Sequence, residues 1–388
     1  MRHSSRQQYL SAGAVLRRCL SAAILSLVVS VSASLASAQI SLAGNNVNMV
    51  SGTDWTTGDP FLQRQNEPSM AVSTRNNLHL LAGNNDYRTV DLPGLLGIEE
   101  NGDAWLGLFK SFDGGLTWSS TLLPGYPLDS SPVGQGSPLF GYQAASDPTV
   151  RSGPAGLFYY SGIAFNRTPA NNPLGAVFVA SFIDNNNREN GDPTAKASLT
   201  NLTNLTPADP IRYLGATIIS SGTAGQFLDK PWLAVDIPRG TNICTVKFTN
   251  PDSSTPVLQT VPAARVFLAW SNFTGTGGTS KINIAYSDNC GMSFPNPIKI
   301  SQANSVNQGV IVAIDPSVPA TSPATVYVAW RRFANGGQND AIVISKSIDG
   351  GASWSMATDV VDFPINCATN STGPGCQFDQ IGGAGRFR

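Results

Sequence analysis

Histidine is almost missing from this chain: the 388 residues contain two, His3 and His79. A Ser-His-Asp hydrolase, a Cys-His protease and a His-ligated zinc centre each need an imidazole at the reacting atoms, so this scarcity argues against all three. His79 lies inside an apolar stretch that reads as a strand, where a hydrogen-bonded structural histidine is the plainer reading. Charge is also scarce. Charged residues make up 13% of the chain with a net charge of -1, about half the usual charged share. Nucleic acid or an anionic membrane as main partner is excluded on that ground, because each requires a basic footprint. Helix-period patterns are nearly absent after the first forty residues. No glycine loop sits in the strand–loop–helix setting that cradles phosphate, and no Cys-x-x-Cys spacing occurs.

What is present begins with a targeting segment. Arg2, Arg6, Arg17 and Arg18 form a basic start, an apolar run extends from Cys19 to about Ala36, and Ala36-Ser37-Ala38 gives a small-x-small cleavage pattern before Gln39. Residues 1–38 are therefore read as a signal peptide and the chain as exported: secreted, or delivered to a periplasmic or extracellular location. A single membrane anchor is the competing reading; the run is short and rich in Ser and Ala, and no membrane span is expected once the signal is cleaved. Four cysteines then remain, Cys244, Cys290, Cys367 and Cys376, and an even count in an oxidising compartment reads as two disulfides. Cys367 and Cys376 flank a Ser/Thr/Gly/Pro loop and suggest a local staple, which leaves Cys244 with Cys290. Sequons at Asn166, Asn201, Asn204, Asn272 and Asn370 matter only where the source glycosylates.

The exported part repeats. Four passages each open with a polar residue and often Pro, then a short apolar strand: Glu67 to Val72, Asp147 to Val150, Lys230 to Val235 and Val310 to Asp315. A second strand follows at Leu78–Ala82, Leu157–Tyr160, Val266–Trp270 and Val326–Trp330, and a third near residues 105–110, 177–181, 282–286 and 342–346. β-branched and aromatic residues dominate these runs, and Gly, Asn, Asp and Pro punctuate the gaps. The units span roughly residues 66–125, 146–205, 229–302 and 308–362, and a fifth opens near Gln380. Such a pattern predicts an all-β fold of many short strands joined by turns. Trp270 and Trp330 fall at matching sites in two units, which points to repeat packing.

After the third strand comes a recurrent turn. The first unit reads Ser111-Phe112-Asp113-Gly114-Gly115-Leu116-Thr117-Trp118 and the fourth Ser347-Ile348-Asp349-Gly350-Gly351-Ala352-Ser353-Trp354. The third unit carries a partial copy, Ser287-Asp288-Asn289-Cys290-Gly291-Met292-Ser293-Phe294, and the second keeps little beyond Ser181 and Asp184. Gly tolerates the positive φ of a tight turn, Asp accepts bonds from backbone N–H groups of the same turn, and the closing aromatic has a large ring to bury. This pattern resembles the Asp box, or BNR repeat, of sialidase-type β-propellers. The resemblance implies a β-propeller of four-stranded blades, six in that family, of which four to five are recognisable over residues 39–388. It therefore implies a chain incomplete at its C-terminal side. It also implies that Ser111, Asp113, Gly115, Trp118, Ser347, Asp349, Gly351 and Trp354 are structural, because Asp boxes lie away from the active site.

In function, the resemblance implies a secreted sialidase-like glycoside hydrolase acting on terminal anionic sugars, with a carbohydrate or glycoprotein partner. The alternative is a non-catalytic propeller that binds glycan or protein at the cell surface. Sialidases use a Tyr nucleophile rather than two carboxylates, with a Glu activator, an Asp acid/base and three Arg. The Arg-Ile-Pro motif that supplies their first Arg is absent; Arg64 and Arg88 lie in the right region without its flanks. Glu67, Asp147 and Asp229 each precede a first strand and are the candidate catalytic carboxylates, with Tyr159, beside Tyr160, as candidate nucleophile. Capping of the following Pro turn is the plainer reading of the three acids. Arg88, Arg331, Arg332 and Lys230, with Arg151, are the candidate anion contacts. No cofactor is expected, although an acidic mouth could hold a structural cation.

Overall fold

The computed structural model describes residues 46–50, 65–90, 103–167, 175–185, 210–223, 225–249, 256–275, 279–295, 297–302, 304–333 and 339–363. The chain divides into a unit of residues 1–46, of which only Asn46 is described, and a unit of residues 47–388 that holds all the structure below. The signal peptide, Arg64, Cys367, Cys376 and the passage near Gln380 lie outside the described residues.

Four four-stranded antiparallel sheets follow one another along the chain, each a meander in sequence order. The first contains β1 (Gln65–Val72), β2 (Leu80–Asp86), β3 (Trp105–Ser111) and β4 (Ser119–Leu122). The second contains β5 (Ala144–Ser152), β6 (Leu157–Phe165), β7 (Gly175–Asp184) and β8 (Ile211–Gly222). β9 (Gln226–Thr249), β10 (Pro256–Thr274), β11 (Thr279–Ser287) and β12 (Ile298–Lys299) form the third. The fourth has β13 (Asn307–Ile314), β14 (Val326–Arg332), β15 (Asp340–Ser347) and β16 (Thr358–Phe363). Helix among the described residues amounts to a single turn, α1 (Pro132–Gln135), and a 3-10 turn at Pro154–Gly156.

The sheets stack face to face, and the sequence of each strand shows how many of its faces are covered. β6 and β7 of the second sheet are apolar almost throughout and buried on both sides, as expected of strands sandwiched between layers. In the fourth sheet β14 alternates buried Val326, Val328 and Trp330 with half-exposed neighbours, so one face alone is covered. Three apolar cores fill the gaps. Leu81, Leu106 and Leu108 meet Phe158, Tyr160 and Phe178 between the first two sheets. Leu157, Tyr159 and Val179 meet Leu233, Leu268 and Trp270 in the next gap. Phe267, Ala269 and Ile284 meet Val312, Val328 and Trp330 in the last. Each fully buried large side chain contributes roughly 1.5–3 kcal/mol. Trp270 and Trp330 are both buried at equivalent places, and Trp330 Nε1 also donates to Asn307 Oδ1 at 2.8 Å.

One departure from the repeat is a long arm in the third sheet. β9 and β10 continue past the register irregularities near Ala264, pairing Ile243 with Pro262 and Cys244 with Val261. Cys244, Val246, Val261 and Ala263 on the inner side of the arm join the core shared with the second sheet. Cys244 is disulfide-bonded to Cys290, with Cα atoms 6.2 Å apart across 46 residues.

Candidate functional site

The first strand of every sheet carries the same irregularity. Register slips between Asn66 and Ser69, between Ser146 and Thr149, opposite Ala269 and Ser271 (Asp229 to Trp232), and between Gln308 and Ile311. Each slip is a β-bulge, and its second residue has positive φ: Glu67 at 55°, Asp147 at 62°, Lys230 at 46° and Gly309 at 71°. Three of these are not glycine, and a left-handed residue with a side chain costs about 1–3 kcal/mol unless its surroundings hold it. Pro follows in the first three sheets, and its Cδ keeps the preceding residue out of the ordinary helical well.

The bulges aim three side chains at one another. Lys230 Nζ donates to both Glu67 carboxylate oxygens at 2.9 Å and to Asp147 Oδ1 at 3.0 Å, while its backbone N–H reaches Asp147 Oδ2 at 3.2 Å. The side chains keep 31% (Lys230), 15% (Glu67) and 10% (Asp147) of their exposure, so the cluster is enclosed yet open to solvent. Burial pushes the Lys230 ammonium down in pKa, but the Asp147 and Glu67 carboxylates outweigh it and hold the group above its ordinary value. Asn85 links the first two sheets, donating to Asn66 Oδ1 at 2.8 Å and accepting from the Asp147 N–H at 2.8 Å. Asp229 accepts from Gln308 and joins the third sheet to the fourth. A polar row thus runs across the first strands of all four sheets.

At the ends of β6 and β10 and the start of β9, where Phe227 precedes Lys230 on one strand, lies a cleft of ≈ 320 Å³. Phe165, Phe227 and Phe273 line it with the polar groups of Asn166, Arg167 and Gln226. That size is at the lower end of small-ligand pockets, which run from roughly 300 to 1,000 Å³.

Several expected site residues stand elsewhere. Asp229 is not the third-sheet equivalent of Glu67 and Asp147; it matches Asn66 and Ser146, and Lys230 takes the equivalent place. The signal was in the sequence, since Glu67, Asp147 and Lys230 each directly precede Pro. Lys230 is not free to take an anion, because two carboxylates already hold its ammonium. Arg88 is fully buried, bonded through Nε and Nη2 to Asp86 Oδ2 at 2.9 and 2.6 Å and to Ser120 at 2.7 Å. Arg331 pairs with Asp340 across the β14–β15 hairpin, and Arg332 with Asp359 on β16 of the same sheet. Arg151 stacks over Trp232 at 4.9 Å. Among the described residues these guanidinium groups do not converge.

Tyr159 is also away from the cluster. It is buried in the core between the second and third sheets, burial alone pushes its phenol well up, and a methyl added at Gly291 would stand 3.2 Å from its ring. Phe267 holds the same register place in the third sheet, 2.8 Å from a methyl added at Gly351. Tyr159 is therefore a packing residue set by the repeat. Tyr160, fully buried, donates to the Gly107 carbonyl at 2.9 Å.

The turns after the third strands share one bonding scheme. In the first, Asp113 Oδ1 accepts from Ser111 Oγ (2.9 Å) and Thr117 N (2.9 Å), Oδ2 accepts from Thr117 Oγ1 (2.6 Å), and Trp118 Nε1 donates to Gly115 O (3.0 Å). Asp349 does the same with Ser347 (2.7 Å) and the Ser353 N–H (2.9 Å) and hydroxyl, and Trp354 with Gly351 O (3.1 Å). In the third turn Asn289 substitutes, accepting from Ser287 Oγ and Ser293 N and donating to Ser293 Oγ at 2.8 Å. Cys290 takes the first positive-φ place, which Gly114 and Gly350 fill in the other two. The carboxylates of Asp113 and Asp349 are wholly occupied within their own turns.

The second unit keeps only Ser181 and Asp184 of this pattern in its sequence, and at Asp184, the last residue of β7, stands a buried group that sequence reasoning did not assemble. Asp184 Oδ2 accepts from Ser73 Oγ at 2.6 Å and from His79 Nδ1 at 2.9 Å, with His79 Nε2 facing the Asn76 amide nitrogen at 3.2 Å. A donor amide at Nε2 fixes the proton on Nδ1. Although Ser, His and Asp meet here, the hydroxyl is bound to the carboxylate and not to Nε2, and His79 and Asp184 have no exposure. It is a staple between two sheets, not an activated nucleophile.

No family model and no curated protein sequence matches the chain. Solved structures give distant likenesses. The Trypanosoma rangeli sialidase bound to the inhibitor DANA aligns over 75% of this chain at 12% identity and a TM-score of 0.40. A Fusarium graminearum α-L-arabinofuranosidase with arabinobiose aligns over 79% at 9% identity and 0.38. The intramolecular trans-sialidase of Ruminococcus gnavus aligns over 77% at 12% identity and 0.31. This chain spans 37% of the first neighbour's length, 68% of the second's and 71% of the third's. All three are glycosidases or glycosyl-transferring relatives of them by name, and likeness at this level carries no residue role across.

Among the described residues, no group of three metal-ligating side chains comes together and no helix is long and apolar enough to cross a membrane.

Proposed function

We propose that this chain is an exported Asp-box β-propeller protein that binds carbohydrate at the mouth formed by Glu67, Asp147, Lys230 and the neighbouring aromatic cleft. The observation that carries the reading is the convergence of Glu67, Asp147 and Lys230, each placed by a strained bulge in a different sheet. The two carboxylates, held by Lys230, offer acceptors to sugar hydroxyls, and the exposed ring of Phe227, earlier on the same strand as Lys230, offers an apolar face. The three bulge residues, the repeated turns and the stacked four-stranded sheets together support the propeller; the signal-like N-terminus supports export.

Binding is favoured over sialidase chemistry by where the other candidates lie. Arg88, Arg331 and Arg332 are paired with their own carboxylates, and Tyr159 lies in a core. One feature favours a second reading, hydrolysis of a terminal sugar by two carboxylates. Glu67 and Asp147 share one ammonium, so their nearest oxygens are within roughly 6 Å, close to the roughly 5–5.5 Å of retaining pairs. Against it, Lys230 Nζ fills the space a reacting oxygen needs.

The purified full chain decides between them in two measurements, glycan binding and release of a fluorescent aglycone from a sialoside and from neutral glycosides. Binding that is lost in Glu67→Gln and Lys230→Met, with no aglycone release, is the expected result. Release that disappears in Glu67→Gln establishes hydrolysis instead, and neither binding nor release sinks both readings.

A further inference from the structure

One pair of residues between the second and third sheets breaks the repeat. Strand registers place Ala71, Arg151, Ala234 and Ala313 at one position of the four first strands, opposite Leu81, Tyr159, Phe267 and Tyr327. Three sheets set a methyl there, and the second sets a guanidinium. Two residues earlier on each strand stand Ser69, Thr149, Trp232 and Ile311, so the third sheet alone presents an indole. The two exceptions meet: the Arg151 guanidinium carbon lies 4.9 Å from the centre of the Trp232 ring. Trp232 in turn packs against the core between the third and fourth sheets, which holds the ring in place.

Arg151 also differs from most of the described arginines in its partners. Arg88, Arg167, Arg239, Arg265, Arg331 and Arg332 each pair with an aspartate. Arg151 is half-buried, yet no carboxylate among the described residues pairs with it. Its Nη1 donates to the carbonyl of Val150, its own neighbour, at 2.8 Å, while Nε and Nη2 have no hydrogen-bond partner among the described residues. Asp147, the one acid of β5, is held by Lys230 through both oxygens. Burial accordingly pushes the Arg151 pKa down, with no neighbouring charge to offset it. A guanidinium carries five N–H donors, and withdrawing it from water without a counter-charge is costly.

We propose that Arg151 and Trp232 form a site for one small oxyanion of the size of sulfate or phosphate, bound by the Nε and Nη2 edge of the guanidinium. Those two donors make the planar fork that matches two oxygens of an oxyanion. The indole face holds the guanidinium by a cation–π contact, so the fork is oriented before the anion arrives. The anion supplies the charge partner that an aspartate supplies to the six paired arginines. The site is separate from sugar binding at the Glu67 cluster and does not rest on that reading.

Equilibrium dialysis of the purified full chain against radiolabelled sulfate, in chloride at constant ionic strength, tests the site. The native chain should bind one sulfate saturably. Arg151→Ala, which installs the residue of the other three sheets, should lose that sulfate, with near-ultraviolet circular dichroism to check that it is folded; if it is not, Arg151→Gln is read in its place. Arg151→Lys keeps the charge without the fork and should bind about tenfold more weakly than the native chain. Absence of saturable binding by the native chain overturns the proposal. Undiminished binding by Arg151→Ala also overturns it, since the anion then sits elsewhere, and equal affinity in Arg151→Lys overturns the fork as the binding element.

Discussion

Asp349 accepts three hydrogen bonds within its own turn, and the Ser353 hydroxyl leads the causes that hold its carboxyl down at about 2, followed by the Ser353 N–H and the Ser347 hydroxyl. An unfolded Asp titrates near 3.9. Because the folded value is depressed, the stabilisation is complete above about pH 4 and is lost as pH falls toward 2. Asn289 shows that an amide can make the same turn, with the hydroxyl bond reversed in direction. Thermal melting should therefore find Asp349→Asn close to the native chain at neutral pH and flatter on the acid limb. Asp349→Ala, which strands the turn's donors, should cost about 1 kcal/mol, as loss of a helix cap does. Equal losses in both variants would mean that charge, not hydrogen bonding, holds the turn. These turns were legible from sequence because every bond in them closes within a few residues. The Glu67 cluster was legible only in part: the Pro after Glu67, Asp147 and Lys230 marks their equivalence, but Glu67 and Lys230 lie 163 residues apart, and that their side chains meet depends on how the sheets pack.

Among the elements, the β9–β10 arm is held differently from the sheets. It extends beyond the four-stranded part and is fastened by the Cys244–Cys290 disulfide and by Arg239, which donates to the Pro319 and Ser322 carbonyls at 2.7 and 2.8 Å. A disulfide contributes typically 2–4 kcal/mol, mainly by restricting the unfolded chain. Cys244→Ser should lower stability by about that amount, and hydrogen exchange should quicken in residues 239–262 before it does in β6 or β7. Uniform quickening across all strands would show that the arm and the sheets open together. Sequence pointed to the Cys244–Cys290 pairing by elimination, but nothing in local periodicity marked β9 as 24 residues long. The arm's alternation of buried Cys244 and Val246 with exposed Ile243 and Lys247 follows from packing against another sheet, which only the fold supplies.

For the molecule, stability should be graded along the stack. The second and third sheets have cores on both faces, whereas β16 carries Val360 and Val361 at 58% and 50% exposure. Native-state hydrogen exchange should give the slowest amides in β6, β7 and β10 and the fastest in β16, the spread reflecting how many neighbours each sheet has. Equal protection in all four sheets would contradict a stack held by pairwise faces. Four repeated units and the first three strands of each were readable from the sequence, as was the near absence of helix, whereas the fourth strand of each sheet was implied by the resemblance alone. Ion partners were not: whether an arginine faces a pocket or a carboxylate depends on pairings such as Arg332 with Asp359, 27 residues away.

The left-handed bulge gives each first strand a socket whose direction is set by backbone and whose chemistry is set by whichever residue fills it. Acid, acid and base occupy three sockets, while Gly309 leaves the fourth blank. The cluster can therefore be rewritten one residue at a time, the direction of each side chain being kept by the bulge beneath it.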